Sequence, residues 1–389
     1  MRKKKVLAVT GIRSEYDILY PVLKELRDNN FDVKIVVSSA HLSDHFGSTI
    51  DRIIEDGFEV ADRIDTLFIT SRLTQRAKGV GLLIYGLTQT VEREGPDFLL
   101  VVGDREESIA TAIVGNYMDK LVVHIGGGDT VFGNADDPVR FAVSKLAHIH
   151  CCSAQKYADN LINLSEESFR VFCTGNPAYV NIVETKKMNL RMVSELINVD
   201  LTDGRYLVII KHPLSSEVND AYDQMKITLE AVEEFCDKHK YQAVIIPPNS
   251  DPGSEEMRTA ITEFNNSRYI YSLETLPRTT FINLVRHCKA LVGNSSMGIL
   301  EAPFYQLPVI NIGNRQKGRL NAGNVEFISH DKDEIIRHLE KACLDENYRV
   351  EVQGISNPFG DEYSAENVRK VFESVNLDDR KWYVKTKLC

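Results

Sequence analysis

The chain has 389 residues, of which 43% are hydrophobic and 26% are charged, and its formal net charge is −10. This length exceeds one compact core and predicts two domains, while the acidic balance argues against nucleic acid as a partner. No stretch approaches the roughly 18 apolar residues of a membrane helix, and the start MRKKKVLAVTG is interpreted as a first strand, not a signal peptide. The seven scattered cysteines form no disulfide framework and no metal motif, so we expect a soluble cytoplasmic protein without a membrane partner.

Short apolar runs alternate with amphipathic helical stretches along the chain. In the first half, predicted strands at 5–11, 33–39, 98–104, 121–128 and 148–153 are separated by helices near 15–29, 105–118 and 138–147. After a polar helical stretch at 178–204, predicted strands follow at 206–212, 241–248, 269–273, 289–295 and 308–313, with a last helix at 364–375. Runs rich in Val, Ile and Leu that alternate with helices are typical of a parallel, doubly wound α/β sheet. The pattern predicts two Rossmann-like lobes facing a central cleft.

Ligands of α/β sheets bind outside the carboxyl ends of the strands, so strand ends are searched first. After the first strand, Gly11 permits a tight turn, and Arg13 either neutralises a pyrophosphate or is a surface arginine. No GxGxxG follows this strand, which argues against an NAD-type site. Asp104 follows the buried run FLLVVG, where partial desolvation would raise its pKa and suit a general base. Its alternative role is to cap the helix that begins near Arg105.

The segment HIGGGDTVFGNADDPVR, at 124–140, is glycine-rich and then acidic. Its three glycines would let Asp129 approach a ligand closely. Asp136 and Asp137 precede Pro138, the favoured first position of a helix, so one of them is expected to be the cap and the other is spare. Together with Asp104 these carboxylates would ring one cleft. Divalent metal binding is the competing interpretation, and the lack of His or Cys at ligand spacing argues against it.

A binding motif for a nucleotide is predicted at 291–319. An apolar strand runs into the turn GNSS, which opens a helix, so helix N–H groups and the hydroxyls of Ser295 and Ser296 would form an anion seat. Glu301, about one and a half turns into that helix, is placed to bind the diol of a ribose. The same layout is also common in α/β proteins in which a serine merely caps the helix.

Further polar residues follow two other strands of the second lobe. His212 ends the run IIKH and is a candidate acid or phosphate contact, or a residue bonded only to backbone. Arg315, Lys317 and Arg319 follow the strand at 308–313, and one or two of them are expected to meet phosphate.

Seven segments, taken in order, resemble the UDP-N-acetylglucosamine 2-epimerase family, especially its hydrolysing branch, which feeds sialic- and legionaminic-acid synthesis. They are TGIRSEY, SSAHLSDHFGSTI, VVGDREES, the HIGGGD and DDPVR block, KHP, GNSSMGILEAP and INIGNRQKGR. The resemblance implies a GT-B fold with an N-terminal domain at 1–178, a connector at 179–204, a UDP-binding domain at 205–363, and a helix at 364–378 that returns to the first domain. It also implies a UDP-sugar substrate, no cofactor, and a homodimer or homotetramer.

The resemblance also implies roles for individual residues. It assigns UDP binding to Arg13, Ser295, Ser296, Glu301 and Arg315, and catalysis to Asp104, Asp129, Asp136, Asp137 and His212. Many members carry a glutamate two residues after the histidine of the HxxGG segment, where this chain has Gly126. Asp129 takes over that role or matches a neighbouring acid, so the identity of the second acid/base stays open.

The implied reaction turns UDP-N-acetylglucosamine into UDP and free N-acetylmannosamine through a 2-acetamidoglucal intermediate. Departure of UDP from C1 makes the C2 proton removable, and Asp104 is the first choice to accept it. UDP-N,N'-diacetylbacillosamine is the alternative substrate. The alternative functions are a non-hydrolysing 2-epimerase, whose HxEAG and PEE patterns the chain lacks, a GT-B glycosyltransferase, and a nucleotide-sugar sensor.

Overall fold

The computed structural model describes residues 2–68, 74–131, 136–201, 203–248, 251–273 and 276–386, with only the main chain of Asp136. These residues form two compact units. The first comprises the described parts of Met1–Thr130, Ala135–Val183 and Phe359–Cys389, and the second is mainly Glu184–Pro358. The domain limits inferred from the sequence, at 178, 204 and 363, stay predictions. In the described ranges, every helix is too short or too polar to cross a membrane.

A seven-stranded parallel sheet forms the centre of the first unit. Its strands are β1 (Lys5–Thr10), β2 (Asp32–Ser38), β3 (Glu59–Ile64), β4 (Phe98–Val102), β5 (Leu121–Ile125), β6 (Ile149–Cys152) and β7 (Val171–Cys173). Their order across the sheet is β3-β2-β1-β4-β5-β6-β7.

The second unit contains a six-stranded parallel sheet. Its strands are β8 (Tyr206–Ile210), β9 (Gln242–Ile246), β10 (Ile270–Ser272), β11 (Ala290–Gly293), β12 (Val309–Ile312) and β13 (Val325–Ile328). Their order is β10-β9-β8-β11-β12-β13. Two parallel sheets that alternate with helices confirm the predicted doubly wound α/β class.

The helices connect successive strands, as parallel pairing requires. In the first unit, before the chain enters the second, they are α1 (Arg13–Asp28), α2 (Ile50–Glu55), α3 (Thr74–Glu94), α4 (Glu106–Tyr117), α5 (Asp136–Leu146), α6 (Gln155–Asn163) and α7 (Ala178–Glu184). Later come α8 (Leu190–Ile197), α9 (Ala221–His239), α10 (Ser254–Thr262), α11 (Arg278–His287), α12 (Met297–Leu300), α13 (Lys332–Leu344), α14 (Glu346–Gln353) and α15 (Ser364–Ser374).

Strand β4 shows why both faces of the first sheet are buried. Phe98 and Leu100 point into one apolar core, beneath α1 and α15, whereas Leu99 and Val101 point into a second core beneath α3 and α5. Because successive side chains of a strand alternate between faces, a strand covered on both sides must be apolar at every position.

Three strands escaped the sequence analysis because they lie at sheet edges. In β3 and β7 every residue is at least partly exposed, and in β13 only the last residue is buried. Their sequences, EVADRI, VFC and VEFI, lack the continuous apolar run that marks a central strand. The sequence therefore predicts the centre of each sheet better than its margins.

Helix α15 completes the core of the first unit although it follows the second unit in the chain. Its Val368 and Phe372 are fully buried, and the Phe372 ring lies edge-on to that of Phe98 with 4.9 Å between the ring centroids. Lys4 Nζ donates to the carbonyl oxygens of Phe372 and Val375, at 2.9 and 2.7 Å. A cation there satisfies carbonyls that the end of a helix leaves without a partner.

Candidate active site

Each sheet has one point where its strand order reverses, between β1 and β4 in the first unit and between β8 and β11 in the second. Open parallel sheets bind ligands outside the strand ends at such a point. Arg13 and Asp104 follow β1 and β4, and His212 and Asn294 follow β8 and β11. The predicted strand-end residues thus lie where each sheet is expected to bind a ligand.

Arg140, on α5, binds two of the predicted catalytic carboxylates. Its Nη2 donates to Oδ2 of Asp104, and its Nη1 lies 3.2 Å from Oδ2 of Asp129. The exposed fractions of the Arg140, Asp104 and Asp129 side chains are 9%, 19% and 3%. Burial alone would lower the pKa of Arg140, but the charges of Asp104 and Asp129 outweigh it and raise that pKa above its ordinary value. The structure therefore joins Asp104 and Asp129 through one permanent cation.

Asp104 differs in two ways from what its position after β4 indicated. Arg105 is the N-cap residue of α4, so the alternative role of Asp104 as the cap was wrong. The carboxylate is also ion-paired with the guanidinium of Arg140, a cation that favours its ionised form. The sequence did not indicate this partner, which lies 36 residues further along the chain.

The acidic pair before Pro138 lies inside α5, not ahead of it. The helix begins at Asp136, so Asp136 and Asp137 both occupy its first turn, where the helix dipole favours negative charge. Pro138 also falls in that turn, where a missing N–H breaks no helical hydrogen bond. The Asp137 carboxylate contributes to the raised pKa of Arg140. The side chain of Asp136 lies outside the described residues, and its role stays a prediction.

Glycine makes the turn that carries Asp129 possible. Gly128 has φ +78°, and a Cβ there would lie 2.1 Å from a main-chain oxygen of α6. Below the turn, His124 Nε2 lies 2.7 Å from the carbonyl oxygen of Gly103, and its Nδ1 lies 3.2 Å from Ser144 Oγ. Burial lowers the pKa of His124 to about 3. This histidine is therefore neutral. Its ring nitrogens link the strand before the glycine turn to Gly103, which follows β4, and to Ser144 of α5.

Two buried glutamates near the same strand ends were missed by the sequence analysis. Glu15 accepts the N–H of Gly11 at 2.9 Å, and Glu107 accepts the hydroxyl of Ser38 at 3.1 Å. Burial, followed by the charge of Glu107, raises the pKa of Glu15 well above its usual value. A Cβ at residue 11 would lie 1.9 Å from Glu107 Oε1, so a larger residue there would have to displace this carboxylate. The available signal was an acidic residue soon after a strand end in both RSEY and DREES.

Arg13 begins α1 and lies beside its own helix. Its Nε is 3.4 Å from Oδ2 of Asp17, and 20% of its side chain is exposed. Its contact with a diphosphate stays a prediction. Within the described ranges, no three His, Cys, Asp or Glu side chains are grouped as a metal site would require.

Asn294 organises the strand ends of the second unit. Its side-chain oxygen accepts the N–H of His212, and its amide nitrogen donates to the carbonyl oxygen of His212, both at 2.8 Å. Asn294 is only 4% exposed, so these bonds are protected from water. The preceding Gly293 has φ +130°, and a Cβ there would lie 2.1 Å from the carbonyl oxygen of Ile210. The close approach of β11 to β8 thus fixes the main chain of His212.

The loop after β12 joins the same cluster. Arg315 Nη1 and Gln316 Nε2 donate to the carbonyl oxygen of Asn294, at 3.2 and 3.0 Å. Arg319 is 4% exposed and donates to Gln316 Oε1, while Lys317 is exposed. Of the three residues among which one or two phosphate contacts were predicted, the structure places Arg315 beside the GNSS turn and buries Arg319 against Gln316.

The helix after the GNSS turn is shorter than the sequence predicted. Ser295 and Ser296 precede a single turn, α12, and Glu301 is its C-cap residue, so the expected position one and a half turns into a helix was wrong. Pro303 explains the early end, because it has no N–H to continue the helical ladder. The chain continues as a 3₁₀ helix at Ala302–Tyr305. The predicted anion seat would therefore depend on local N–H groups and hydroxyls more than on a long helix dipole.

The match to a family model covers most of the chain. The model described as UDP-N-acetylglucosamine 2-epimerase matches residues 24–373. The UDP-N,N'-diacetylbacillosamine 2-epimerase (hydrolyzing) of Legionella pneumophila is 30% identical over 375 residues, which cover 96% of this chain and 97% of that protein. The GDP/UDP-N,N'-diacetylbacillosamine 2-epimerase (hydrolyzing) of Campylobacter jejuni is 29% identical over 351 residues, which cover 89% and 90%.

A solved structure supports the architecture. The crystal structure of UDP-GlcNAc 2-epimerase from Neisseria meningitidis, bound to UDP-GlcNAc, matches 95% of this chain and 100% of its own with a TM-score of 0.82 at 19% identity. This likeness confirms the predicted GT-B type of fold. The family model and the Legionella relative show that the chain belongs to the UDP-N-acetylglucosamine 2-epimerase family.

Proposed function

We propose that this protein is a hydrolysing 2-epimerase that converts a UDP-linked 2-acetamido sugar into UDP and the free C2 epimer. The observation that carries the proposal is the bridge from Arg140 to Asp104 and Asp129. Exchange of a C2 proton requires one group that accepts it and another that supplies a proton to the opposite face. Two carboxylates beside one cation supply two candidate groups for these proton transfers.

In the proposed first step, the bond between C1 and the UDP oxygen breaks while the C2 proton passes to a carboxylate. The electron pair of the C2–H bond forms the C1=C2 double bond of a 2-acetamidoglucal. We assign the base to Asp104, because 19% of its side chain is exposed against 3% for Asp129. The charge that grows on UDP is assigned to Arg13, Arg315 and the two serine hydroxyls, because fixed donors stabilise a leaving diphosphate.

In the proposed second step, water adds across the double bond. The water oxygen bonds to C1 while one of its O–H bonds breaks. C2 receives a proton from a carboxylic acid on the face opposite to the one it lost, the water proton restores that acid, and the proton held by Asp104 leaves to solvent. Asp129, Asp136 and Asp137 are the candidates for this donor, and His212 is proposed to contact the diphosphate. The net reaction consumes one water and yields UDP and a free 2-acetamido sugar.

Two substrates are tested against each other. The sequence analysis favoured UDP-N-acetylglucosamine, whereas the names of the Legionella and Campylobacter relatives favour UDP-N,N'-diacetylbacillosamine. The same two names support hydrolysis over simple epimerisation. A cytoplasmic role in the synthesis of sialic-type acids stays a prediction.

The test is proton NMR of the purified protein with each UDP-sugar in D2O. A free 2-epimer with deuterium at C2 and an equal amount of UDP is expected from one of the two. A UDP-linked epimer would instead indicate the non-hydrolysing reaction, and a free sugar without deuterium would indicate glycosidic hydrolysis. No turnover of either substrate would overturn the epimerase proposal and leave glycosyl transfer to be tested.

We also propose a homodimer formed through the outer faces of α3 and α4. Tyr85 on α3 and Tyr117 on α4 are 76% and 84% exposed, more than any other large hydrophobic side chain among the described residues. Lys78 and Glu92 lie seven residues to either side of Tyr85 and are both exposed. An antiparallel pair of α3 helices, related by a twofold axis at Tyr85, would place each lysine opposite a glutamate. Light scattering of a Tyr85→Glu variant should show a smaller particle than the wild type.

A further inference from the structure

The segment 380–386, which follows α15, is fixed by a buried arginine. The Arg170 side chain is 0% exposed. Its Nη1 donates to the carbonyl oxygen of Trp382 at 2.7 Å, and its Nη2 donates to those of Val384, at 2.6 Å, and Lys381. A buried guanidinium is costly to leave unpaired, so these bonds give the segment one defined course.

That course brings Lys385 to the end of α5. Its Nζ donates to the carbonyl oxygens of Ser144, Lys145 and Ala147, at 3.2, 2.9 and 2.9 Å. These are carbonyls that the last turn of a helix leaves without a partner, and a cation there also suits the helix dipole. Lys385 is 9% exposed, so water competes little with these bonds.

A buried carboxylate keeps the Lys385 ammonium in place. Glu166 Oε2 lies 2.6 Å from Lys385 Nζ and 3.2 Å from His150 Nε2, and Oε1 lies 3.1 Å from Lys145 Nζ. Burial would raise the pKa of Glu166, but its hydrogen bonds to His150 and Lys385 bring that pKa down to about 2. The carboxylate is therefore charged throughout the neutral range, and Lys385 has a counter-ion.

Lys385 and its counter-ion Glu166 form an anchor at the end of α5. Helix α5 connects this anchor to the candidate catalytic residues. Arg140, which binds Asp104 and Asp129, lies four residues before Ser144 on the same face. The Ser144 hydroxyl donates to the carbonyl oxygen of Arg140 at 3.1 Å, while its main-chain oxygen accepts from Lys385. A displacement at the end of α5 would therefore reach Arg140 through one turn of helix.

We propose that Lys385 is a positioning residue, which holds α5 so that Arg140 keeps its contacts with Asp104 and Asp129. The inference rests on the proposed function for its kinetic test, but the anchor itself is a property of the fold. Nothing in the motifs around Asp104 or Asp129 points to a lysine so far along the chain.

The test compares Lys385→Met with Lys385→Arg and with Lys370→Met. Methionine keeps the length and removes the charge, arginine restores a cation, and Lys370 is an exposed lysine of α15 paired with Glu366. We expect kcat to fall about tenfold in Lys385→Met, with KM changed less than about twofold, because small displacements of catalytic groups have large kinetic costs. Lys385→Arg should recover part of this loss, and Lys370→Met should behave as wild type.

The pH profile separates positioning from a merely structural role. A looser Arg140 favours the ionised form of Asp104 less, so the acid limb of the pH profile of kcat/KM should move to higher pH in Lys385→Met. A structural defect would reduce the amount of active protein and leave that limb in place. An unchanged limb, or an unchanged kcat, would therefore overturn the proposal.

Amide hydrogen exchange gives a readout that does not need activity. In Lys385→Met, the amides of residues 141–147 should exchange faster than in wild type, while those of β8 in the second unit should not change. If the wild type turns over neither UDP-sugar, the proposed function fails. The exchange measurement still tests whether Lys385 holds the end of α5. Equal exchange across α5 in both proteins would overturn the anchor.

Discussion

The two clusters of candidate site residues are held together by different kinds of contact. In the first unit, charged side chains meet each other, with Asp104 and Asp129 on either terminal nitrogen of Arg140. In the second unit, a neutral amide binds main chain, with Asn294 bonded to both polar groups of His212. Ion pairs shift the protonation equilibria of the side chains they join, whereas the amide contacts of Asn294 fix the course of the main chain. The contrast agrees with the proposed division, in which the first unit transfers protons and the second binds the nucleotide.

The largest effect that would test this contrast is expected for Asp104→Asn. Asparagine keeps the size of the side chain and an oxygen for Arg140, but it cannot accept the C2 proton. Turnover and deuterium incorporation at C2 should fall about 10²- to 10⁴-fold. UDP binding, measured by calorimetry, should stay close to wild type. A variant that retains normal exchange would show that Asp104 is not the base; Asp28→Asn, at an exposed position, is the control.

Arg140→Met is expected to have the next largest effect, because it leaves two carboxylates without their cation. Breaking a buried ion pair costs about 3–5 kcal/mol of stability. The acid limb of the pH profile of kcat/KM should move to higher pH, since Asp104, the proposed base, would lose the cation that favours its ionised form. Arg140→Lys should fall between this variant and wild type, because one ammonium cannot reproduce the two-sided contact. Thermal unfolding and pH–rate profiles measure the two effects, and an unmoved limb would contradict the role given to Arg140.

Asn294→Leu tests the second cluster. Two polar groups of His212 would lose their partners, and the support of Arg315 and Gln316 would shift with the turn. We expect UDP affinity to fall about tenfold or more, since each lost bond costs about 1–3 kcal/mol. The acid limb of the pH profile should stay in place, unlike that of Arg140→Met. Asn265→Leu, at an exposed position of the same unit, is the matched control.

The smallest effect concerns Lys211, which is buried beside His212 and bonded to Gln224 O and Thr228 Oγ1 at 2.8 and 2.7 Å. Burial lowers its pKa from 10.5 to about 7. Between these two values the unfolded chain binds a proton that the native state does not, so the free energy of unfolding should rise with pH.

Replacement of Lys211 by methionine should flatten that rise. Urea unfolding followed by circular dichroism at about pH 7.5 and about pH 9.5 measures it. The fluorescence of Trp382, in the first unit, is an internal reference, and Lys240→Met is an exposed control. A slope that persists in Lys211→Met would assign the pH dependence to another group.

The sequence predicted the ends of the central strands because an apolar run that stops is visible locally. Asp104, His212 and Ser295 were found in this way. Arg140 was quoted within DDPVR but was not recognised as the partner of Asp104, because ion pairs between distant segments leave no local pattern. Asn294 was hidden for a related reason, since its bonds go to the main chain of His212 and main-chain partners have no side-chain signature.

Other differences come from competition between local signals. The GNSS turn predicted a helix long enough to carry Glu301, but Pro303 ends that helix after one turn. One of the two aspartates before Pro138 was expected to cap α5 from outside, but the helix starts at Asp136 and contains both. Both segments contain a proline, and its effect depends on where the helix begins. Pro138 lies in the first turn of α5, whereas Pro303 follows the end of α12.

The return of α15 to the first unit has a consequence for synthesis. Val368 and Phe372 fill the core beneath β4, yet they emerge from the ribosome after all of Glu184–Pro358. The second unit is continuous over that span and can fold as soon as it is complete. The earlier part of the first unit must wait with an open apolar face, a state that is prone to aggregation. We expect the unit that starts the chain to be the last to become native.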